Sequence, residues 1–528
     1  MKNDDLGDFA LPRDDSGVSV KAAETPELVT PYDEFRYPGK FYPHASPERM
    51  AALATLFGLK PAPVERCRVL ELGCGEGGHL VPLAYALPES RFLGVDLSQA
   101  SIGRARELAD RVGVRNIEFL AQDLTKFPAD GGEFDYIIAH GLFSWVPEDA
   151  QQALLDICGR HLAPEGVAYI SYNTFPGAHL RQIPRDLTLF HTRAISDPAA
   201  KVREAYKIVE SILAAMPEPS LERELLRKVA ARYKTSDALT RFDLLAEVNE
   251  PVYFLDFMEQ AAACGLQFVA ESDIKFMRTA HLPESARKWL DAIPDRLLRE
   301  QYLDFIHCRG FRKTILCRAG HRLDLEVTPE RMSRLMVAGS LRPSRPITDF
   351  HSGEEIEFRT VHGQVISCKE AMPKAIYLEM GAAFPRALRY DELRARACRR
   401  LGYDKPLDAE MEAKLIRMLV SSLANGVAEF HVYQPPFRTE VGARPLASAM
   451  TRIQAESGGP VSSMYLASFM LEDSIMRDLL LLLDGSRDRR QMLSALQARP
   501  GVDSAHMVTA EAIERALKTL ADYGMLIG

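Results

Sequence analysis

The segment VLELGCGEGGHLVPLA, residues 69–84, constrains the fold of this chain more than any other. Its first apolar residues have the pattern of a strand that is buried on both faces. The glycines that follow allow a sharp turn and let the backbone approach a ligand where a Cβ atom would collide. From about His79 the pattern becomes that of an amphipathic helix, whose first N–H groups face the turn. The segment therefore predicts a strand, a turn and a helix that bind a nucleotide-like ligand.

Strands and helices alternate with this unit up to about residue 172. A short helix is expected at 51–60, one helix begins after the N-cap Ser98, and another runs from Pro147 to Leu162. The expected strands are 69–72, 91–96, 116–124, 134–141 and 167–172. This alternation indicates a parallel sheet with ligands at the carboxyl ends of its strands.

Acidic residues in or after three of the predicted strands indicate which cofactor binds. Asp96, which ends the second strand, can accept hydrogen bonds from ribose hydroxyls, as nicotinamide and S-adenosylmethionine (SAM) enzymes both require. Glu71 lies two residues before the turn, where a carboxylate can hold the cationic methionine end of SAM. Asp123 suits the exocyclic amine of adenine. These acidic residues favour SAM. The glycines leave two alternatives open, because they also satisfy the dinucleotide pattern G-x-G-x-x-G and would also suit a turn that only packs a helix on a strand.

We expect the cofactor to contact the strand ends and the turn. The expected cofactor-binding residues are Glu71, Gly73, Cys74, Gly75, Gly77, Asp96, Leu97, Asp123, Leu124 and His140.

The fourth and fifth strands supply candidates for the acceptor side. We expect His140, Tyr172 and Asn173 to be catalytic, with His140 taking a proton or hydrogen-bonding substrate and Asn173 orienting an acceptor amine. Aromatic rings can hold a sulfonium and favour a neutral amine. The expected substrate-binding residues are Tyr32, Tyr37, Trp145 and Phe175. The alternatives are a structural role for His140, a core position for Trp145 and turn capping by Asn173.

The order of motifs ELGCGEG, GVDLS, AQDL and FDYIIAHG resembles class I SAM-dependent methyltransferases. SYNTFPG at 171–177, LLAEVNEPVYF at 244–254 and YDEFRYP at 32–38 narrow the resemblance to bacterial methyltransferases with a methyltransferase regulatory domain. That family includes rickettsial protein-lysine methyltransferases that act on outer-membrane proteins. The resemblance extends from Tyr32 to the C-terminus and implies SAM as cofactor and a protein lysine as acceptor.

Two positions depart from the pattern of that family. Ala45-Ser46-Pro47 stands where Thr-His-Pro is usual, and Phe242 precedes Asp243 where a histidine is usual. His44 is the neighbouring histidine that could replace the first of these.

The chain is expected to be α/β, with a Rossmann-like methyltransferase sheet, a helical regulatory insert and C-terminal α+β winged-helix-like modules. Residues 180–290 are expected to be helical. Two C-terminal segments each end in a helix, a glycine turn and an apolar strand, and we expect them to dock protein rather than DNA. The expected parts are a disordered tail at 1–28, a SAM-binding domain at 29–195, a regulatory domain at 196–290, a middle domain at 291–445 and a C-terminal unit at 446–528. The aromatic residues of 29–50 would form a lid over the cofactor or an arm on the surface.

Composition narrows the class of protein. The formal net charge of −8 over 528 residues argues against general nucleic-acid binding. There is no apolar run near the ~18 residues of a membrane span, no CxxC pair and no apolar leader at the acidic N-terminus. We expect a cytoplasmic protein with reduced cysteines and no bound metal.

Three functions are compatible with these features. The first is methyl transfer to a protein side-chain amine, with the insert and C-terminal modules providing docking area. The second is methylation of a small metabolite or lipid-linked sugar, with the insert as a lid. The third is a non-catalytic adaptor that senses SAM. An open groove beside the acceptor site would favour the first function and a closed cavity the second. The oligomeric state stays open.

Overall fold

The computed structural model describes residues 33, 36–37, 39–233, 237–361, 363–471, 474–498 and 508–528. The tail expected at 1–28 and the candidate residue Tyr32 lie outside the described residues.

The largest element is a seven-stranded sheet with the order β3-β2-β1-β4-β5-β7-β6. Its strands are β1 Arg68–Leu72, β2 Arg91–Asp96, β3 Ile117–Ala121, β4 Phe134–Ala139, β5 Leu162–Asn173, β6 Leu266–Glu271 and β7 Phe311–Arg318. Neighbours among the first five strands are parallel, whereas β7 is antiparallel to both β5 and β6. The Rossmann-like α/β sheet expected from the sequence is confirmed.

The helices begin where side-chain caps allow. Ser98 caps its helix by accepting from the N–H of Ser101, as expected. The first helix begins at Pro47 rather than 51, because the Ser46 side chain accepts from the N–H of Arg49 and proline suits the first helical position. The helices up to the last strand of the sheet are Pro47–Leu56, Leu80–Ala86, Gln99–Val112, Glu148–His161, Ala178–Thr192, Pro198–Ala215, Leu221–Ala231, Asp237–Leu239, Phe254–Ala263, Glu284–Asp291 and Arg296–His307.

The expectation that residues 180–290 contain only helices is wrong at β6. This strand is a short, mostly buried apolar run, and such a run does not distinguish a strand from a buried helix by its periodicity. Its partner β7 lies well downstream in the chain, so the pairing is not visible locally. The sheet therefore extends across the boundaries that we predict at 195 and 290.

The two faces of the sheet carry different apolar cores. Val69, Tyr136 and Tyr169 pack with the helices that flank β1 to β3 and with the C-terminal region. Leu70 and Tyr172 point to the other face, where they pack with the helices Glu148–His161 and Phe254–Ala263. Adjacent strand residues belong to opposite faces because side chains alternate along a strand.

The C-terminal region contains helices and small sheets. Its strands are β8 Met336–Ala338, β9 Arg342–Pro343, β10 Ile356–Arg359, β11 Val365–Cys368, β12 Leu388–Arg389, β13 Glu429–His431, β14 Val461–Ser462 and β15 Ser468–Phe469. They form sheets with the orders β11-β10-β9, β12-β8-β13 and β14-β15. The helices are Pro329–Met332, Ala371–Ala383, Tyr390–Arg400, Ala409–Ala424, Ala449–Glu456, Ser474–Leu482, Arg489–Gln497 and Ala510–Asp522.

The two expected winged-helix-like endings differ. In the first, the helix Ala409–Ala424 leads through Gly426, with a φ of 67°, into β13. In the second, the residues after Gly524 form an isolated antiparallel bridge between Leu526 and Ala447, with backbone hydrogen bonds from Ile527 to Leu446 at 2.8 Å and from Leu446 to Gly528 at 3.1 Å. The second ending is therefore a shorter extended pairing than the first. No helix in the described part of the chain is long and apolar enough to cross a membrane.

Buried charges fasten β6 and β7 to a helix. Arg312 of β7 is fully buried and donates to Asp304 at 2.8 and 2.9 Å and to Glu300 at 3.2 Å. It also lies 3.4 Å from Glu271 of β6. Buried charges of this kind are costly unless they are paired, so this cluster fixes the helix Arg296–His307 against the sheet edge.

A second buried pair joins the first helix to the C-terminal region. Nδ1 of His431 lies 3.0 Å from Oε1 of Glu48, and Nε2 lies 3.5 Å from Glu429. The charge of Glu48, together with Glu429, outweighs the effect of burial and raises the pKa of His431 to about 10.

We expect His431→Gln to destabilise the protein in a pH-dependent way. Because the folded pKa lies above the ordinary value of 6.5, the stabilisation is fully present below about pH 6.5 and is lost as the pH rises through about 10. Denaturation followed by circular dichroism should show a loss of up to about 3–5 kcal/mol near pH 6 and a smaller loss near pH 10. His191→Gln, at a half-exposed pair 3.8 Å from Glu204, is the control and should cost at most about 1 kcal/mol. A loss that does not change with pH would contradict the assignment.

Candidate active site

The glycine turn after β1 has the backbone conformation that the sequence predicts. Gly73, Gly75 and Gly77 have φ values of 72°, 52° and 72°, in the region that favours glycine. A Cβ atom at Gly77 would lie 3.1 Å from Phe119, whereas one at Gly75 would meet no described atom within 4 Å. Gly75 is therefore the point at which the turn faces open space.

The carboxylate of Asp96 fixes this turn. One oxygen accepts from the N–H of Gly75 at 2.8 Å, and the other accepts from the N–H of Ser98 at 2.9 Å. The end of β2 thereby holds both the turn and the start of the next helix. The exposed Leu97 beside it offers an apolar surface of the kind that an adenine ring covers.

The side chains around the turn fit SAM. Glu71 is 3% exposed, and its Oε2 has no hydrogen-bond partner among the described residues. Burial and the nearby Asp96 raise the pKa of Glu71. A cationic methionine moiety would satisfy this carboxylate. Asp123 accepts from Thr125 through Oδ1 at 2.9 Å, which leaves Oδ2 for the adenine amine.

Two of the expected cofactor residues point elsewhere. The Cys74 side chain is buried and packs beside Gly94 under the turn. Leu124 is part of the core on the opposite face of the sheet from Val69. A cofactor contact from either residue would come through the backbone.

The aromatic N-terminal segment lies over the glycine turn. Nε of Arg36 donates to Glu76 at 2.7 Å, and the N–H of Tyr42 donates to Nδ1 of His79 at 3.2 Å. A Cβ atom at Gly78 would lie 2.4 Å from the backbone of Gly39. This close approach is open only to glycine, and the position of the segment is the one that a lid would occupy.

The acceptor side is built around His140, which follows β4. The ring centroid of Tyr42 lies 3.9 Å from that of His140, and the ring centroid of His44 lies 5.2 Å from it. Nδ1 of His140 is 3.0 Å from the hydroxyl of Tyr169 and 3.2 Å from Oγ of Ser171. Burial lowers the pKa of His140 well below its ordinary value and that of His44 to about 2, so both rings are neutral at physiological pH.

Asn173 ends β5 inside a polar network. Its Nδ2 donates to Oδ1 of Asn249 at 2.9 Å, and its Oδ1 accepts from Arg181 at 3.1 Å. A parallel bridge between Thr174 and Val252 joins the two sequence motifs that carry the resemblance. Both polar atoms of the Asn173 amide therefore have partners within the protein, and one of them fixes Asn249. Sequence reasoning missed Asn249 as a site residue, although it lies in the quoted NEPVYF motif.

Tyr172 does not line the site, and the expectation that it is catalytic is wrong. It is 1% exposed, stacks on Phe257 with ring centroids 4.1 Å apart, and shares a hydrogen bond of 3.0 Å with Thr314. It lies on the opposite face of β5 from Ser171 and Asn173 because strand side chains alternate.

The expected aromatic pocket is not one cluster. Phe175 packs at 4.3 Å on His179 and at 5.2 Å on Tyr253. Tyr37 packs edge-on against Phe242 at 5.5 Å. Trp145 is half-buried in the short turn Phe143–Trp145. The ring beside His140 is Tyr42, which the sequence marked only as part of an aromatic segment.

Phe242 and Asp243 lie in a short π-helical segment, Thr240–Leu244. Asp243 is 3.5 Å from Arg232, and burial raises its pKa. All eight cysteines are described and are free thiols. The described residues contain no group of three or more His, Cys, Asp or Glu placed to hold a metal ion.

We expect Asp96→Asn to weaken SAM binding by about 1–3 kcal/mol. The single amide oxygen cannot accept from Gly75 and Ser98 together and also bind a ribose hydroxyl. Isothermal titration with SAM measures the loss. Asp135→Asn is the matched control, because Asp135 accepts from the N–H of Arg68 at the other end of the sheet. Unchanged affinity in Asp96→Asn would contradict the placement of the ribose.

Comparisons with known proteins agree with this geometry. Residues 69–166 match the family described as a methyltransferase domain, and residues 237–318 match a predicted methyltransferase regulatory domain. Protein RP028 of Rickettsia prowazekii is 32% identical over 232 residues, which are 44% of this chain and 93% of that protein.

Other relatives align over longer stretches of this chain. Protein RP789 of Rickettsia prowazekii is 35% identical over 322 residues, which are 60% of this chain and 58% of that protein. The structure of PKMT2 from Rickettsia typhi, solved also in complex with AdoHcy, matches with a TM-score of 0.82 at 24% identity. That match covers 93% of this chain and 100% of PKMT2, and it shows a shared fold.

Proposed function

Because this chain belongs to the class I SAM-dependent methyltransferases that carry a methyltransferase regulatory domain, we propose that it methylates the side-chain amine of a protein lysine. Bound SAM supplies a methyl group on a sulfonium whose sulfur is a good leaving group. The C–S bond breaks as the C–N bond forms, and the methylated ammonium then releases a proton to water. The protein has to bind, align and desolvate the amine, and alignment alone can contribute about 7–11 kcal/mol.

The observation that carries the proposal is the packing of Tyr42 against the neutral rings of His140 and His44. A free lysine has a pKa near 10.4 and attacks only as the neutral amine. Burial among these rings disfavours the charged ammonium by desolvation and so favours the neutral amine. An acceptor amine placed at the carboxyl ends of β4 and β5 would meet this surface.

The hydrogen bonds of His140 support a positioning role for this residue. The Oγ of Ser171 accepts from the N–H of Gly141 at 2.8 Å, so its own hydrogen is free for Nδ1 of His140. Burial raises the pKa of Tyr169, so the second hydroxyl at Nδ1 also keeps its proton. Two hydroxyl donors favour the tautomer whose Nε2 carries the hydrogen. His140 then donates a hydrogen bond to substrate instead of accepting a proton from it.

The remaining assignments follow from the turn and the strand ends. Glu71 would hold the methionine end of SAM, Asp96 the ribose and Asp123 the adenine amine, while Asn173 positions Asn249. A protein acceptor is supported by the resemblance of the motifs to rickettsial protein-lysine methyltransferases. It is also supported by the fold shared with PKMT2 of Rickettsia typhi.

We expect the purified protein to transfer radiolabelled methyl groups from SAM to a protein in a lysate of the source cell. A denaturing gel should show a labelled band with the wild type and none with Asp96→Asn at limiting SAM, and mass spectrometry should place the label on lysine. Label found only in small molecules would favour the metabolite enzyme. Undiminished SAM binding without any label would favour the adaptor.

We expect His140→Gln to lower kcat and to leave the shape of the pH–rate profile unchanged. Burial lowers the pKa of His140 well below its ordinary value, so its ring is already neutral at and above physiological pH, and the rate should rise with pH only as the acceptor amine loses its proton. Steady-state kinetics of both proteins across that range provide the test. An inflection of the wild type that disappears in His140→Gln would show that His140 is a base.

A further inference from the structure

A cavity of about 1010 Å³ lies behind the acceptor site. Its wall comes from the start of the helix Pro47–Leu56, the segment after β6, the turn before β13 and the residues before β15. Small-molecule pockets have volumes of about 300–1,000 Å³, so this cavity is at the upper limit for such a ligand. The exposed residues Lys275, His281 and Asn425 line it, so it is open to solvent.

The side chain of His44 belongs both to the cavity and to the acceptor site. His44 lines the cavity, and its ring is the one that packs against His140. The backbone carbonyl of His44 accepts from Oγ of Ser272 at 2.7 Å, and Arg49 donates to the carbonyl of Ser272 at 2.9 Å. A protein chain whose lysine reaches the acceptor site would therefore pass close to the cavity.

The acidic groups of the cavity have basic neighbours, and the charges of Glu48, Glu429 and Asp273 also act on Arg49. Glu48 and Glu429 flank His431, whose raised pKa keeps it positively charged. Asp273 accepts from Lys313 of β7 at 2.9 Å.

Two basic groups of the cavity lack such neighbours. In the part of the chain that the structure describes, Lys275 and Arg278 form no ion pair within 4 Å, and Nη1 of Arg278 is buried without a hydrogen-bond partner. The neighbouring His307 and His281 stack on each other, and burial lowers the pKa of His307. The unpaired charge of the wall is therefore positive and favours an anionic occupant.

Residues of two small sheets also line the cavity. β13 is the outer strand of the sheet β12-β8-β13, and β15 is a strand of the two-stranded sheet β14-β15. All of β13 and Ser468 of β15 line the cavity. Outer strands present main-chain groups to which an extended peptide can add, with side-chain pockets on either side.

We propose that this cavity binds an extended acidic segment of the protein substrate, next to the lysine that is methylated. The inference rests on the proposed function, since it supplies the docking surface for a protein acceptor. The basic side chains would pair with carboxylates of the segment, and the sheet edges would align its backbone.

The test measures binding without catalysis. The probe is a fluorescein-labelled peptide with one lysine followed by aspartates and glutamates. The full chain is titrated into this peptide in the presence of S-adenosylhomocysteine, and binding is followed by fluorescence anisotropy. A matched peptide has asparagine and glutamine at the acidic positions. We expect tight, salt-sensitive binding of the acidic peptide and at least about tenfold weaker binding of the neutral one.

Variants locate the site. Lys275→Glu and Arg278→Glu should each lower the affinity for the acidic peptide by about tenfold or more, and Lys275→Gln should lower it by less. Lys405→Glu reverses an exposed charge outside the cavity and should change nothing. Unchanged melting temperature and S-adenosylhomocysteine affinity confirm that the variants fold.

Three results would overturn the proposal. They are equal binding of both peptides, no binding of either, and full affinity in the Lys275 and Arg278 variants. Inorganic phosphate is added as a competitor at constant ionic strength. Displacement of the acidic peptide by low concentrations of phosphate would indicate a small-anion site and would also overturn the proposal. Failure of the proposed function is distinguishable, because charge-dependent peptide binding would then persist although no protein lysine is methylated.

Discussion

The carboxylate of Asp96 is the interaction on which the site depends. It accepts hydrogen bonds from the turn after β1 and from the first turn of the next helix, so one side chain sets the spacing of two cofactor-binding elements. The positive φ of Gly75 brings its N–H within reach of that carboxylate. The open space in front of Gly75 and the unsatisfied oxygen of Glu71 belong to the same strand-and-turn unit.

The N-terminal segment completes the site from outside the sheet. Its contact with Gly78 needs a residue without Cβ, so the last glycine of the motif serves the covering segment as well as the turn. The same segment brings Tyr42 and His44 against His140. The cofactor side and the acceptor side therefore depend on one short stretch of chain that has little regular structure.

Buried ion pairs connect this site to distant parts of the chain. Arg312 fixes the edge of the sheet to a helix, and the pair of Glu48 and His431 fastens the first helix to β13. The pair of Glu48 and His431 also lines the cavity, in which Lys275 and Arg278 remain as unpaired charges.

Much of the cofactor half could be read from the sequence because its determinants are local. Glycines with positive φ, a capping serine and an acid at a strand end act within a few residues of one another, and the structure places Gly75, Asp96 and Ser98 together as that reading requires. The alternation of strands and helices likewise predicted the first five strands.

The tertiary structure alone decided the rest. The pairing of β6 with β7, the face to which Tyr172 points and the meeting of Tyr42 with His140 depend on contacts between residues far apart in the chain. Local periodicity does not encode such contacts, and a shift of one residue along a strand moves a side chain to the opposite face. The sequence thus determined the cofactor and the five parallel strands that hold it, whereas packing determined the last two strands and which side chains face the acceptor.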